Sequence, residues 1–187
     1  MNKFIIYIAL SCFLMNCGDG KENDESKKSS TQTQEYSFSI AGTVEHVDST
    51  YESGFHKVST FYDEKTNEKK ALVKFYNNGH PYTDVRFSNG VRTGESYSYH
   101  KNGNPFSINT YLNGVWHGPY KTFFENGQPR IVANYADGKE EGEWIQFYSN
   151  GKLDTRGFYT AGEKTGLWTT YSQEGALLRE VDYSENR

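Results

Sequence analysis

The chain has 187 residues, 24% of them charged, with 20 Lys and Arg against 24 Asp and Glu and a net charge of -4. That balance speaks against a nucleic-acid binder, which depends on an extended basic surface. Aromatic residues make up 16% of the chain, so a chain disordered throughout is excluded as well. The residues in chain order begin with an export signal over 1–16: Lys3 supplies a short positive region and residues 4–15 an apolar stretch too short to span a bilayer comfortably.

Leu14-Met15-Asn16-Cys17 closes that signal and resembles the lipobox of bacterial lipoproteins, with Asn16 where Gly, Ala or Ser is usual. The resemblance implies that Cys17 is acylated and becomes the first mature residue. An ordinary signal peptide or a retained N-terminal anchor are the alternatives. Cys12 lies inside the discarded signal, which leaves Cys17 without a disulfide partner in the mature chain. Residues 17–35 then form a polar tether, because Gly18 onward carries no aliphatic or aromatic side chain to bury. Its acidic start resembles the surface-export signals of some Bacteroidota lipoproteins, which implies the outer membrane or cell surface rather than the inner membrane.

Residues 36–70 predict an N-terminal edge strand, on the alternation of Phe38 and Ile40 with Ser37 and Ser39 over 36–47, followed by a degenerate capping hairpin. The two arms of that hairpin flank Glu64-Lys65-Thr66-Asn67. From residue 71 to 187 the chain repeats with a period of 24. Gly94, Gly118, Gly142 and Gly166 keep that spacing, as do Gly90, Gly114, Gly138 and Gly162, and the rings Phe87, Tyr111, Tyr135, Tyr159 and Tyr183. Glycines this frequent exclude helices of ordinary length, and Tyr, Phe, Trp, Thr and Val favour strands. The fold class is therefore all-β, built of tandem hairpins.

Each period predicts two strands and two turns. Asn150-Gly151, with Asn78-Gly79, Asn102-Gly103 and Asn126-Gly127 in phase, predicts a two-residue type I′ turn. The second connection, such as residues 161–166, reads as a wider loop. That register places Trp144 opposite Gly157, Tyr148 opposite Leu153, Tyr159 opposite Gly142, Tyr120 opposite Ala133, Phe124 opposite Pro129 and Tyr135 opposite Gly118, so that large meets small. The face holding Trp144, Tyr148, Leu153 and Tyr159 is expected to be the drier one. Trp144 is then expected to matter more for stability than Trp116, and Gly142 to leave room for Tyr159.

Read as Gly-x-Trp/Tyr-x-x-Phe/Tyr, then Asn-Gly-x-Leu/Pro, then Tyr-x-x-Gly, these units resemble MORN-type repeats, and more closely the bacterial antitoxin-component proteins of the YwqK family. The resemblance implies an elongated, twisted antiparallel sheet and a role in binding other proteins. It also leaves open a role as an immunity or antitoxin protein.

The chemistry-bearing residues do not point to an enzyme. His46, His56, His80, His100 and His117 keep no common repeat position and no metal-type spacing, and His100 stands where its neighbours carry Phe124 and Tyr148. Glu143 has Glu95 as its repeat mate, and Asp137 falls in a turn. No phosphate loop or nucleophile elbow occurs, and no metal or cofactor is expected. Trp116, with His117 beside it, departs from the period: Arg92-Thr93, Glu140-Glu141 and Lys164-Thr165 stand at the equivalent positions. A loop-borne Trp is a candidate contact residue, with packing on a neighbouring loop as the alternative. The expectation is an envelope lipoprotein whose array binds a protein partner and touches the membrane only through its lipid. Binding to a cell-wall or surface glycan is the competing reading.

Overall fold

The computed structural model describes residues 38–184. Cys17, the signal and the tether lie outside them. The described residues form 14 strands and no helix: β1 (Thr43–Thr50), β2 (His56–Asp63), β3 (Lys69–Phe75), β4 (Pro81–Ser88), β5 (Val91–Arg92), β6 (Gly94–Tyr99), β7 (Pro105–Leu112), β8 (Val115–Phe123), β9 (Pro129–Ala136), β10 (Lys139–Glu140), β11 (Gly142–Phe147), β12 (Leu153–Thr160), β13 (Glu163–Tyr171) and β14 (Leu177–Asp182). They make one open antiparallel sheet in chain order, with the short β5 and β10 folding back on β4 and β9. Each strand therefore pairs with its sequence neighbours, which is how a repeat array buries backbone without long connections.

The two turns of each unit are the reverse of the expected pair. At Asn89-Gly90, Asn113-Gly114, Asp137-Gly138 and Ala161-Gly162 both central residues have positive φ. Leu112 faces Val115, and Thr160 faces Glu163, directly across such turns. These are the type I′ hairpins. The connection expected to be a wider loop is thus the tightest one.

At the other connection only the glycine is left-handed, with φ of 82° at Gly151. The Tyr148 N–H donates to the Lys152 carbonyl at 2.8 Å and the Gly151 N–H to the Tyr148 carbonyl at 2.9 Å, closing a three-residue loop. The same bonds recur at 51–55, 76–80, 100–104, 124–128 and 172–176, so the turn pattern extends upstream of residue 71. The extra loop residue slips the register there. Phe147, not Tyr148, faces Leu153, and Phe123, not Phe124, faces Pro129. Beyond the slip the pairs Trp144 with Gly157, Gly142 with Tyr159, Tyr120 with Ala133 and Gly118 with Tyr135 stand as expected.

Ala161 sits at φ 51° where the preceding units carry Asn or Asp. An L residue with a Cβ is strained there by about 1 kcal/mol, and Asn tolerates the conformation better. Ala161→Asn should therefore stabilise the protein by roughly 0.5–1 kcal/mol, read as a raised urea midpoint at unchanged slope.

The sheet buries opposite faces at its two ends. Alternation along the strands puts Phe61, Ala71, Val73 and Phe75 on one face, where they form the buried core with Phe38 and Ile40 packed against it. The Phe38 ring stands 5.8 Å from Phe61 and 6.1 Å from Phe75, edge on to both. The edge strand accordingly starts at Thr43, and the alternation at 38–40 reports a segment that covers the core. Ser96, Tyr120, Trp144 and Trp168 lie on the other face, in register through Asn109, Ala133 and Gly157. In the later units the face with Trp144 and Tyr159 is the drier one, as expected: Ser107, Thr122, Ala133 and Trp168 are buried on it, whereas the opposite face is exposed at Lys121, Asn134, Arg156 and Phe158.

Candidate binding surface

The ring face is built by small residues in register with large ones. Trp168 is 6% exposed. Its ring lies on Gly157 so closely that an added Cβ would stand 2.1 Å from it, and its Nε1–H donates to the Phe158 carbonyl at 3.1 Å. Trp144, Tyr159 and Tyr183 surround it at 5.7, 5.1 and 6.5 Å, and the Lys164 ammonium sits 4.1 Å above it. Trp144 is the register partner of Gly157, but the ring that occupies the space over that glycine comes from the strand on its far side. The principal buried tryptophan is therefore Trp168, and Trp144 is half-buried beside it. Gly142 also departs from expectation, because an added Cβ would meet nothing within 4 Å. It is required by its φ of 81°, not by the Tyr159 ring.

Trp116 belongs to β8, opposite Tyr111, and no wide loop carries it. Its ring stacks on Tyr120 at 5.4 Å and meets the Tyr135 ring edge on at 4.8 Å, and its carbonyl accepts the Gly138 N–H at 2.8 Å. Burial, then Glu140, pushes the Tyr135 phenol up to about 12, so this cluster stays neutral across ordinary pH. A half-buried ring with three aromatic neighbours is a packing residue as much as a contact residue. Trp116→Ala should cost about 2 kcal/mol, contrary to the small effect a loop position implies, and thermal melting measures it.

His117 is half-exposed, and its Nδ1 accepts the backbone N–H of Asp137 at 3.4 Å. One unit on, a Glu141 carboxylate oxygen accepts the Ala161 N–H at 2.8 Å. Both side chains thus hold the first left-handed residue of the next unit's turn. Trp116 and His117 are adjacent in sequence, but one packs rings and the other ties a turn.

Two ladders run from unit to unit that the sequence reading did not assign. Asn78, Asn102 and Asn126 each donate a side-chain N–H to the following loop, at Lys101, Glu125 and Ser149, over 3.2, 3.3 and 2.9 Å. Their side-chain oxygens accept the N–H two residues on in their own loop. The Tyr76 and Tyr148 hydroxyls donate to the Tyr99 and Tyr171 carbonyls at 2.9 and 2.8 Å, and His100 Nε2 takes the same place at 3.1 Å from the Phe123 carbonyl. His100 is thus a packed substitute for a tyrosine. The phase of Asn and Tyr in the period was the available signal.

Other chemistry is occupied locally. Glu143 pairs with Arg156 at 2.6 Å, and Asp137 holds φ 50° in its turn. Asp84 is buried with one oxygen 2.6 Å from Arg86; burial pushes its carboxyl above the usual range and Arg86 draws it back. Among the described residues no three of His, Cys, Asp and Glu gather as metal ligands.

Residues 92–113, 116–137 and 140–161 match the family described as MORN repeat variant. Each matched segment ends at the first residue of a type I′ turn, so the match to that repeat follows the period of the hairpins. No curated protein matches the chain. Among solved structures it is similar to a crystal structure of TarM, at 12% identity over 67% of this chain and 21% of that one, with a TM-score of 0.26. A mutant of S. aureus TarM in complex with fondaparinux, α-GlcNAc-glycerol and UDP gives the same values, 12% identity, 67% and 21% coverage and a TM-score of 0.26. The chain spans about a fifth of the length of these proteins, and a likeness this low bears on neither fold nor activity.

Proposed function

We propose that these MORN-type repeats form a non-enzymatic module that binds a protein partner at the bacterial envelope, where acylated Cys17 and the 17–35 tether hold it. The observation that carries the reading is the single open layer, whose half-buried ring face and more exposed opposite face both stay accessible along the later units. Next to two of the type I′ turns the surface is apolar, with Val91, Leu112 and Val115 all exposed. Exposed apolar side chains grouped at the tips of rigid hairpins suit recognition of another protein.

A photo-crosslinking amino acid at Leu112, introduced into the full chain in cells, should give a discrete protein adduct that competes with excess unmodified protein. Adducts formed only with glycan would replace the protein reading by the carbohydrate one. Cys17→Ala should release the protein from membranes or leave a heavier precursor, and unchanged fractionation and mass would remove the anchor.

A further inference from the structure

The ring row of the later units stops at Ser96. Tyr120, Trp144 and Trp168 occupy the positions 24, 48 and 72 residues further on, and each puts a ring on the same face of the sheet. At Ser96 the side chain is small and buried, and the face sinks into an open hollow of about 270 Å³ around it. Leu72 and Val85 form one wall, and the half-buried Tyr111 stands on the other side. The hollow thus has an apolar wall and a ring wall where the next units supply a ring of their own.

Its electrostatics have one sign. Lys74 and Arg92 line it and are exposed, while no acidic side chain does. The nearby carboxylates are engaged away from it: Asp84 pairs with Arg86, which like Asp84 belongs to the opposite face, Glu95 accepts the Tyr97 hydroxyl on that same opposite face, and Glu68 pairs with Lys70. Arg92 lies over the Tyr111 ring at 5.7 Å, which leaves its guanidinium edge free for a bidentate acceptor. Two cations without a counter-charge, in a chain of net charge -4, form a local site for an anion.

Resting on the protein-binding reading above, we propose that this hollow receives an aromatic side chain with an adjacent carboxylate from an acidic segment of the partner protein. The partner's ring completes the row over Ser96, between Leu72, Val85 and Tyr111, and its carboxylate meets Lys74 and Arg92. Shape and charge then both contribute, as in an interface with a central ring anchor and a charged rim.

The test is fluorescence anisotropy with the full chain in mild detergent and a labelled Gly-Ser-Tyr-Asp-Asp-Ser-Gly peptide as probe. Binding should saturate, and it should weaken at least tenfold when the peptide Tyr becomes Ala or its two Asp become Asn. The double variant Lys74→Gln, Arg92→Gln changes only exposed side chains and should also weaken binding at least tenfold. Ser96→Tyr supplies the ring used by the neighbouring unit, gives up the bond from the Arg86 N–H to the Ser96 hydroxyl, and should abolish binding in a chain that still melts cooperatively. Undiminished binding in folded Ser96→Tyr or in the double variant would overturn the proposal. So would binding of trigalacturonate in place of the peptide, or binding of neither. If the Leu112 adduct still forms in Ser96→Tyr, the hollow is not the contact and the protein-binding reading stands without it.

Discussion

Trp168→Ala should destabilise the protein by about 4 kcal/mol, close to the upper end for truncating a buried ring. The side chain is almost wholly buried, it bonds a carbonyl through its indole N–H, and it lies flat on a residue with no side chain. Losing it opens the space over Gly157 and leaves the Phe158 carbonyl without that donor. Gly157→Ala should cost about 3 kcal/mol by the opposite route, since a Cβ 2.1 Å from the indole forces the ring off the sheet. In the double variant the methyl enters space the ring has left. Its cost should fall well short of the two single costs together, and urea denaturation of all three measures the coupling. Trp144→Ala, with a ring only half-buried, should cost less than Trp168→Ala.

Phe61→Ala should cost about 4 kcal/mol at the other end of the sheet. Phe61 is 2% exposed, stands edge on to Phe38 and packs with Ala71, Val73 and Phe75 on the opposite face from Trp168. The sheet has no second layer over the later units, so this small cluster under residues 38–40 is where aliphatic and aromatic side chains are most fully buried. Because strands contact mainly their neighbours, Phe61→Ala and Trp168→Ala should add within about 0.5 kcal/mol in the double variant.

The period, the strands and most of the register were legible because glycine and ring spacing recur too often to leave another phase. Turn type was not legible from the dipeptide Asn-Gly alone. The same two residues occur at Asn113-Gly114, where both are left-handed, and at Asn102-Gly103, where only the glycine is. What separates them is loop length: Asn102-Gly103 sits in a three-residue loop in which the Asn102 side-chain oxygen accepts the Asn104 N–H, whereas Leu112 and Val115 pair directly across Asn113-Gly114. The tight turn at Asn113-Gly114 likewise draws Trp116 out of the expected loop and into a strand beside Tyr120 and Tyr135. The burial of Trp168 is hidden in the sequence because its glycine lies on the adjoining strand, across a bulge between Arg156 and Phe158 that shifts the register. The basic hollow at Ser96 is visible in the sequence only as a break in a row whose later members are aromatic.

Deleting residues 118–141 tests most directly whether the protein is an open array of interchangeable units. The deletion removes one 24-residue period and joins His117 to Gly142 in phase. Trp116 then precedes a unit that begins Gly-Glu-Trp, much as it now precedes Gly-Pro-Tyr. The shortened chain should keep the far-UV spectrum of a β protein and melt in one cooperative transition at a modestly lower temperature. A deletion that unfolds the whole chain would show that the strands close on one another rather than stack, and would contradict the account.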